Sequence, residues 1–393
     1  MRILVVHNNY KEPGGETVIF GLETALLQQN GDTVLTWQRD SIEIDGYTLT
    51  QKAAFLINTL YNRHTYREIR AYIRTESLAV AHVHNVFPLI SPSVYRALHD
   101  SGVPIVQSIH NFRFLCPNGL FYTHGQVCER CKSGNTLHAV RFKCYRNSRV
   151  LSALYALSIG LHRRWGTFGL IDHFIANTEF SAQKLVESRL TSRDKITVLG
   201  NFLPEPLPSP GSFEKREPYV VFLGRLSSEK GVDILLDAMV GLPEIGLKIA
   251  GDGPQASTLR IKAQQRRLER VEFPGYVAGE KKLDLLRNGM AIVVPSVWYE
   301  SFPLTVLESL AVGTPVVASN CGNLPYIIAD GKNGLLFSPG DSRDLHEKLH
   351  WLAQHPAEKL RMGQFGRQVV ESKYSANMHY ETQTAIYTRL ISH

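Results

Sequence analysis

A chain of 393 residues with 44% hydrophobic and 20% charged side chains is globular rather than disordered, and long enough for two or three cores. No uncharged apolar run reaches the roughly 18 residues of a membrane span, and the opening MRILVVHNN lacks the apolar length and cleavage site of a secretory leader. A cytoplasmic setting with reduced thiols is therefore expected, and the net charge of +7 comes with no nucleic-acid recognition motif, which argues against that partner.

In chain order, RILVVH is a β-branched apolar run, followed by a Gly-Gly loop and a helical pattern, ETVIFGLETALLQQNG. The stretch LINTLYNRHTYREIRAYIR then carries Arg63, Arg67, Arg70 and Arg74 at helical spacing. VAHVHN and PIVQSIHN read as strands around the helix SPSVYRALHDSG. Between Glu129 and Asp172 no acidic residue occurs, while Arg130, Lys132, Arg141, Lys143, Arg146, Arg149, Arg163 and Arg164 do. Two readings of these basic stretches stay open: solvated helix faces, or faces for an anionic membrane or lipid-linked substrate. DHFIANT, FSAQKLVES and KITVLGN continue as strand, helix, strand.

The rhythm breaks at NFLPEPLPSPGSFEKREP, whose five prolines exclude helix and central strand and mark a linker. It restarts with YVVFLGRLS, LKIAGDGP, VEFPGYV, AIVVPS and PVVAS, separated by helical segments. The expected fold class is α/β, with two doubly wound Rossmann-like domains facing a cleft. Neither the G-x-G-x-x-G nor the G-x-x-x-x-G-K-[ST] phosphate fingerprint is present.

Chemistry is expected in loops after strands. In RLSSEKGVDILL, Arg225 and Lys230 flank a helix start with Ser228 as candidate cap, an arrangement suited to a diphosphate. In VWYESFPLTVLESLAVG, Pro303 is expected to open a helix, with Glu300 just before it and Glu308 inside it. The N–H groups of Leu304 and Thr305 would then face an anion, and each carboxylate could accept from vicinal sugar hydroxyls. The spacing alone proves nothing, since Glu68 and Glu76, Glu179 and Glu187, and Glu272 and Glu280 share it.

FLGRLSSEKGVDILLDA, LKIAGDGP, PSVWYESFPLTVLESLAVGTPVVAS and GKNGLLFSPGD, in that order, resemble the retaining glycosyltransferases of family 4, which have the two-domain GT-B fold. The resemblance implies an acceptor-side domain over 1–203, a linker over 204–218, a donor-side domain over 219–372, and a segment 373–393 that returns as a helix to the first domain. It implies that Arg225 and Lys230 bind the donor diphosphate, that Glu300 contacts the donor sugar, and that Glu308 contacts the ribose. It brings Gly14 and Gly15 of EPGGETV to phosphate or acceptor, adds Gly224, Ser301 and Phe302 to the substrate contacts, and places His110 against the transferred sugar. By itself, a lone histidine after a strand reads as a satisfied core residue.

The implied activity is transfer of a sugar, with retention, from a UDP- or GDP-type donor to a glycan or lipid-linked acceptor in bacterial surface polysaccharide synthesis. No Asp-x-Asp occurs, so no catalytic metal cofactor is expected and cations carry leaving-group stabilisation. Such an enzyme would be cytoplasmic, with a peripheral seat on the inner face of the cytoplasmic membrane left open. A GT-B epimerase or phosphorylase, or a non-catalytic sugar-nucleotide binder, remains the alternative. Cys116, Cys128, Cys131 and Cys144 have the spacing C-x11-C-x2-C-x12-C, with a single C-x2-C chelate turn. A structural zinc and a knot of reduced thiols are both compatible with it, and some family members carry a similar loop.

Overall fold

Apolar strands that alternate with helices pair in parallel, because each helical crossover returns the chain to start its next strand in the same direction. The structure, a computed structural model, describes residues 1–12, 14–211 and 216–392. Pro13, the linker residues Ser212, Phe213, Glu214 and Lys215, and His393 lie outside the described residues. The chain divides into two units: Met1–Thr123, Cys128–Asn201 and the stretch from Asn377 onward; and His124–Val127 with Phe202–Ala376.

Up to Asn201 the strands are β1 (Arg2–Asn9), β2 (Thr33–Asp40), β3 (Val80–Asn85), β4 (Ile105–Ile109), the short β5 (Tyr122–Thr123) and β6 (Gln126–Val127), β7 (His173–Ala176) and β8 (Ile196–Val198). β5 and β6 pair with each other, and the other six form a parallel sheet ordered β2-β1-β3-β4-β7-β8. Every residue of β3 and β4 is buried, which is why these strands read as continuous apolar runs. Edge strand β2, partly exposed along its length, has no such run and gave no strand signal. The basic stretch at 56–74 is two helices, Leu49–Leu60 and Arg63–Thr75, broken where the Asn62 side chain caps the second. The last helix, Ala376–Ile391, buries Ile386 and Tyr387 among Ile3, Val5, Phe20, Val80 and Val106. At about 1.5–3 kcal/mol for each large apolar side chain buried, that anchors it to the first sheet.

After the linker the strands are β9 (Glu217–Leu223), β10 (Gly246–Ala250), β11 (Val271–Gly275), β12 (Gly289–Val294), β13 (Val316–Ser319) and β14 (Gly334–Phe337). They form a second parallel sheet ordered β11-β10-β9-β12-β13-β14. Pro274 is tolerated because β11 is an edge. Strand order reverses between β9 and β12 here, and between β1 and β3 in the first sheet. Loops leaving such a pair diverge to opposite faces and open a crevice at the carboxyl ends of the strands.

Two glycines fix the β9 loop. Gly251 of GDGP has φ +151, and a Cβ there would lie 1.8 Å from the Gly224 carbonyl oxygen. With Leu226 N–H donating to the Asp252 carbonyl at 2.8 Å, this motif buttresses the loop from behind. Gly231 has φ +67, and a Cβ there would lie 2.1 Å from the Pro295 carbonyl oxygen, so it sets how closely the β9 and β12 loops approach. Val297 N–H donates to the Glu229 carbonyl at 2.9 Å across the same seam. Gly231→Ala is expected to cost at least about 2 kcal/mol, from left-handed strain plus displaced backbone, and to separate the two loops. Urea unfolding measures the loss, and a variant as stable as the parent would contradict the seam.

Candidate functional site

The β9 and β12 loops carry most of the residues singled out in the second unit. Arg225 is exposed in the first turn after β9, and Lys230 ends a short 3-10 turn, Ser228–Lys230. The following helix, Val232–Ala238, starts from Gly231 without a side-chain cap, so Ser228 is not the cap expected of it. The turn is entered from Ser227, whose hydroxyl donates to the Glu229 carboxylate. Pro303 sits one position earlier than expected, at the N-cap of the helix Leu304–Ala311, because its backbone is still extended at ψ 118. Leu304 and Thr305 therefore open that helix, and their N–H groups have no acceptor within it.

Glu300 is only 6% exposed, and its Oε1 gathers three donors. Lys230 Nζ lies 2.7 Å away, the Ser296 hydroxyl 2.5 Å and the Trp298 indole N–H 3.0 Å. The Lys230 ammonium also lies 5.1 Å from the centroid of the Trp298 ring. Asn323 holds the Glu300 backbone through its carbonyl. An ammonium has three protons, so Lys230 can stay pinned by Glu300 and still donate to a ligand. Glu308 Oε1 accepts from Lys282 Nζ at 2.5 Å, while its buried Oε2 has no partner among the described residues.

Gly224 leaves β9 with φ +156. Ser301 is half-buried beside Glu300. Phe302 departs from expectation: its side chain packs in the core against Tyr374, ring centroids 5.5 Å apart, so only its backbone is left for a ligand. Ser296, Trp298 and Lys282 were missed in the sequence. The first two lie in a loop singled out for its carboxylates, whereas Lys282 comes from another helix, Gly279–Asn288, and left no signal.

In the first unit, Gly14 and Gly15 start the helix Gly15–Gln29, and a Cβ at either would meet open space. His110 follows β4 and is 8% exposed. Its Nε2 lies 2.8 Å from His84 Nδ1, with the rings stacked 5.1 Å apart. Burial lowers the His110 pKa to about 4, so the ring is neutral at pH 7. Two groups beside it went unread. One is a network around Glu23, His82 and His84; the spacing of the histidines in VAHVHN, two apart on a strand, puts both on one face and was the available signal. The other is Glu16, next to Gly15. Asn111 Nδ2 donates to its Oε2 at 2.9 Å, yet burial outweighs this bond and the Arg113 charge and raises the carboxyl pKa to about 7.

The cysteine loop is a packed knot. Buried Arg113 donates to the Pro117 carbonyl at 2.8 Å and lies over the rings of Tyr145 and Tyr155. Asn118 bridges the Tyr122 carbonyl and the Cys116 thiol. All four cysteines are free thiols; burial first, then the neighbouring Cys116, Cys144 and Cys128, push Cys131 up to about 12. Tetrahedral zinc–thiolate bonds need sulfurs about 3.8 Å apart. Among the described residues, metal-type ligand atoms gather within 4.8 Å of one another at Glu23, His82 and His84, and the four sulfurs do not. In the loop as folded, zinc would have to draw the sulfurs together.

With this geometry in place, comparison with known proteins decides the domain types. Residues 14–204 match the family described as Glycosyltransferase Family 4, and residues 207–369 match Glycosyl transferases group 1. The chain pairs a glycosyltransferase family 4-like domain with a group 1 domain. The group 1 domain is the one holding Arg225, Lys230, Glu300 and Glu308, and the family 4-like domain holds His110 and the cysteine loop. D-inositol 3-phosphate glycosyltransferase of Mycolicibacterium smegmatis is 34% identical over 189 residues, which are 44% of this chain and 43% of that protein. The chain thus spans less than half the length of that relative in the match. Sucrose-phosphate synthase from Thermosynechococcus elongatus has the same fold, with a TM-score of 0.73 at 19% identity over 100% of this chain and 99% of that one. Anabaena HepE in complex with UDP-glucose gives 0.69 at 17% identity over 98% and 100%. Both sheets therefore have the two-domain GT-B architecture expected for these domain families.

Two expected outcomes follow from the charges. Lys230→Met leaves the Glu300 carboxylate buried without its cation and should cost about 2–4 kcal/mol, while adding Glu300→Gln should restore at least about half of the loss. Urea unfolding of the single and double variants of the group 1 domain's pair checks this. For Glu16, a raised carboxyl pKa means that the fold keeps a proton which the unfolded chain releases between pH 4.5 and about 7, so stability falls as pH rises through that window. Glu16→Gln should therefore be more stable than the parent at pH 8, by on the order of 1–3 kcal/mol, and equal to it near pH 4.5.

Proposed function

We propose that this chain is a retaining glycosyltransferase that moves a sugar from a UDP- or GDP-sugar to a glycan or lipid-linked acceptor in bacterial surface polysaccharide assembly. The observation that carries this reading is the Lys230–Glu300 pair, 2.7 Å apart, fixed where strand order reverses in the group 1 domain. Lys230 and Arg225 take the donor diphosphate, joined by the N–H groups of Leu304 and Thr305 at a helix start. Glu300 orients the donor sugar, and Glu308, held by Lys282, accepts from the ribose hydroxyls. The chain contains no Asp-x-Asp, so the charge on the departing phosphate is assigned to these cations and amides rather than to a bridging metal. In HepE the same fold is solved with UDP-glucose, which supports a uridine donor.

In the reaction, the bond from the sugar's anomeric carbon to the β-phosphate oxygen breaks, and the acceptor hydroxyl oxygen bonds that carbon from the same face. The acceptor proton passes to the leaving phosphate oxygen, and the nucleoside diphosphate departs. His110 holds the transferred sugar. A peripheral seat on an anionic membrane is supported by exposed Leu49, Ile57, Leu137, Val150 and Leu157, which accompany the basic helices. No helix among the described residues is long and apolar enough to cross a membrane.

A panel of nucleotide sugars tests the reading. One donor should raise the melting temperature, and nucleotide release should need an acceptor and persist in excess EDTA. Arg225→Ala and Glu300→Gln should each slow turnover at least about 100-fold. Product with inverted anomeric configuration would overturn retention, and nucleotide release unaffected by either variant would overturn the assignment of the site.

A further inference from the structure

A pocket of about 330 Å³ opens in the first unit, bounded by the turn after β2, the helix Leu49–Leu60 and the loop after β3. Its walls are set from the end of β1. The Asn8 carboxamide accepts from the Leu89 N–H at 2.8 Å and donates to the Ser41 hydroxyl at 3.0 Å, so it ties the β3 loop to the β2 turn. Asn62, just past the helix, donates to the Leu89 carbonyl at 2.8 Å. The three walls are thus bonded together and the pocket is built into the fold. It stands outside the carboxyl ends of β2, β1 and β3, where strand order reverses in the first sheet. Its volume is at the lower end of the range for ligand pockets, which suits a single sugar rather than a nucleotide or an oligosaccharide.

The lining has the chemistry of a sugar site. Tyr47 and Phe55 bring two rings, centroids 6.5 Å apart and tilted 65° to each other, and the same lining carries the planar amides of Gln51 and Asn58. Gln51 Oε1 is taken by the Thr48 N–H at 2.9 Å, which fixes that side chain at the helix start. A pyranose offers an apolar ring face and a rim of hydroxyls; aromatic rings cover the first, and amides both donate to and accept from the second. Charge argues against a phosphate. Glu43 holds the Arg39 guanidinium through Nε at 3.0 Å and Nη2 at 2.6 Å, and is itself fixed by the Asp40 N–H at 2.9 Å. The bonds from Arg39 keep the Glu43 carboxyl below the usual carboxylate range, so the two charges cancel at neutral pH. His64, the other basic group of the lining, pairs with Glu68 at 2.9 Å. Both basic groups are therefore compensated, and an uncharged ligand is favoured over an anion.

We infer that this pocket binds one uncharged sugar unit of the acceptor, with Tyr47 and Phe55 against its ring and Gln51 and Asn58 on its hydroxyls. The acceptor is then recognised through its glycan rather than through a lipid or phosphate group. The acceptor role rests on the transferase reading above, whereas the binding of a sugar at this pocket does not.

Methyl NMR on full-length protein carrying 13C-labelled alanine tests it. The methyl α-glycosides of glucose, galactose, mannose, rhamnose and N-acetylglucosamine are titrated in turn, and the pocket's signal is the one lost in Ala54→Gly. At least one glycoside should shift that signal saturably. Asn58→Leu and Tyr47→Ser should each weaken its binding about tenfold, the effect of one lost hydrogen bond or ring contact. Should one variant not fold, the other, on a separate element, decides. With a donor that turns over, the same glycoside should speed nucleotide release, and Asn58→Leu should cut that gain about tenfold at low glycoside without changing donor KM. No shift with any glycoside, an equal shift with inorganic phosphate, or unchanged binding in the folded variants overturns the pocket. A glycoside that binds there yet leaves nucleotide release unchanged overturns the acceptor role. The titration involves no donor, so it stands or falls separately from the transferase reading.

Discussion

Parallel pairing is the constraint from which both sites descend. A parallel strand cannot be reached by a tight turn, so each strand leaves its sheet at the carboxyl end and crosses over through a helix. Where successive crossovers change direction, two neighbouring strands send their loops apart. In the group 1 domain that happens between β9 and β12, and Arg225, Lys230 and Glu300 occupy the two departing loops. In the family 4-like domain it happens between β1 and β3, and Gly14, Gly15 and the VAHVHN histidines lie on or just beyond those strands.

The two buried carboxylates at these points are stabilised in different ways. Glu300 is met by a full positive charge, a hydroxyl and an indole N–H on one oxygen. Such a pair repays its desolvation only with good geometry, and the seam at Gly231 supplies that by holding the two loops in contact. Glu23 is met by an amide and by histidines, and although burial alone would raise its pKa, facing His84, His379 and His82 hold it below the usual carboxylate range. The first arrangement leaves its cation partly exposed, whereas the second is closed inside a core.

The cysteine loop belongs to neither. Arg113 over two tyrosine rings and Asn118 bonding across the turn both order it, and neither residue belongs to the cysteine spacing. The C-x2-C turn is the conspicuous feature of that stretch of sequence, and a guanidinium and an amide add contacts around it.

The sequence by itself determined the alternation of strand and helix, the break at the proline-rich segment, and the two loops that hold Arg225, Lys230, Glu300 and Glu308, because apolar period and proline are local properties. It did not determine edge strand β2, whose half-exposed pattern lacks an apolar run, nor the inward turn of Phe302. Only the tertiary structure decided that Lys282 from a separate helix meets Glu308, and that Glu23, His84, His110 and Gln383 meet although hundreds of residues separate the first from the last. Such pairings depend on which strands the crossovers make neighbours and which helix covers them. No window of the sequence contains that information.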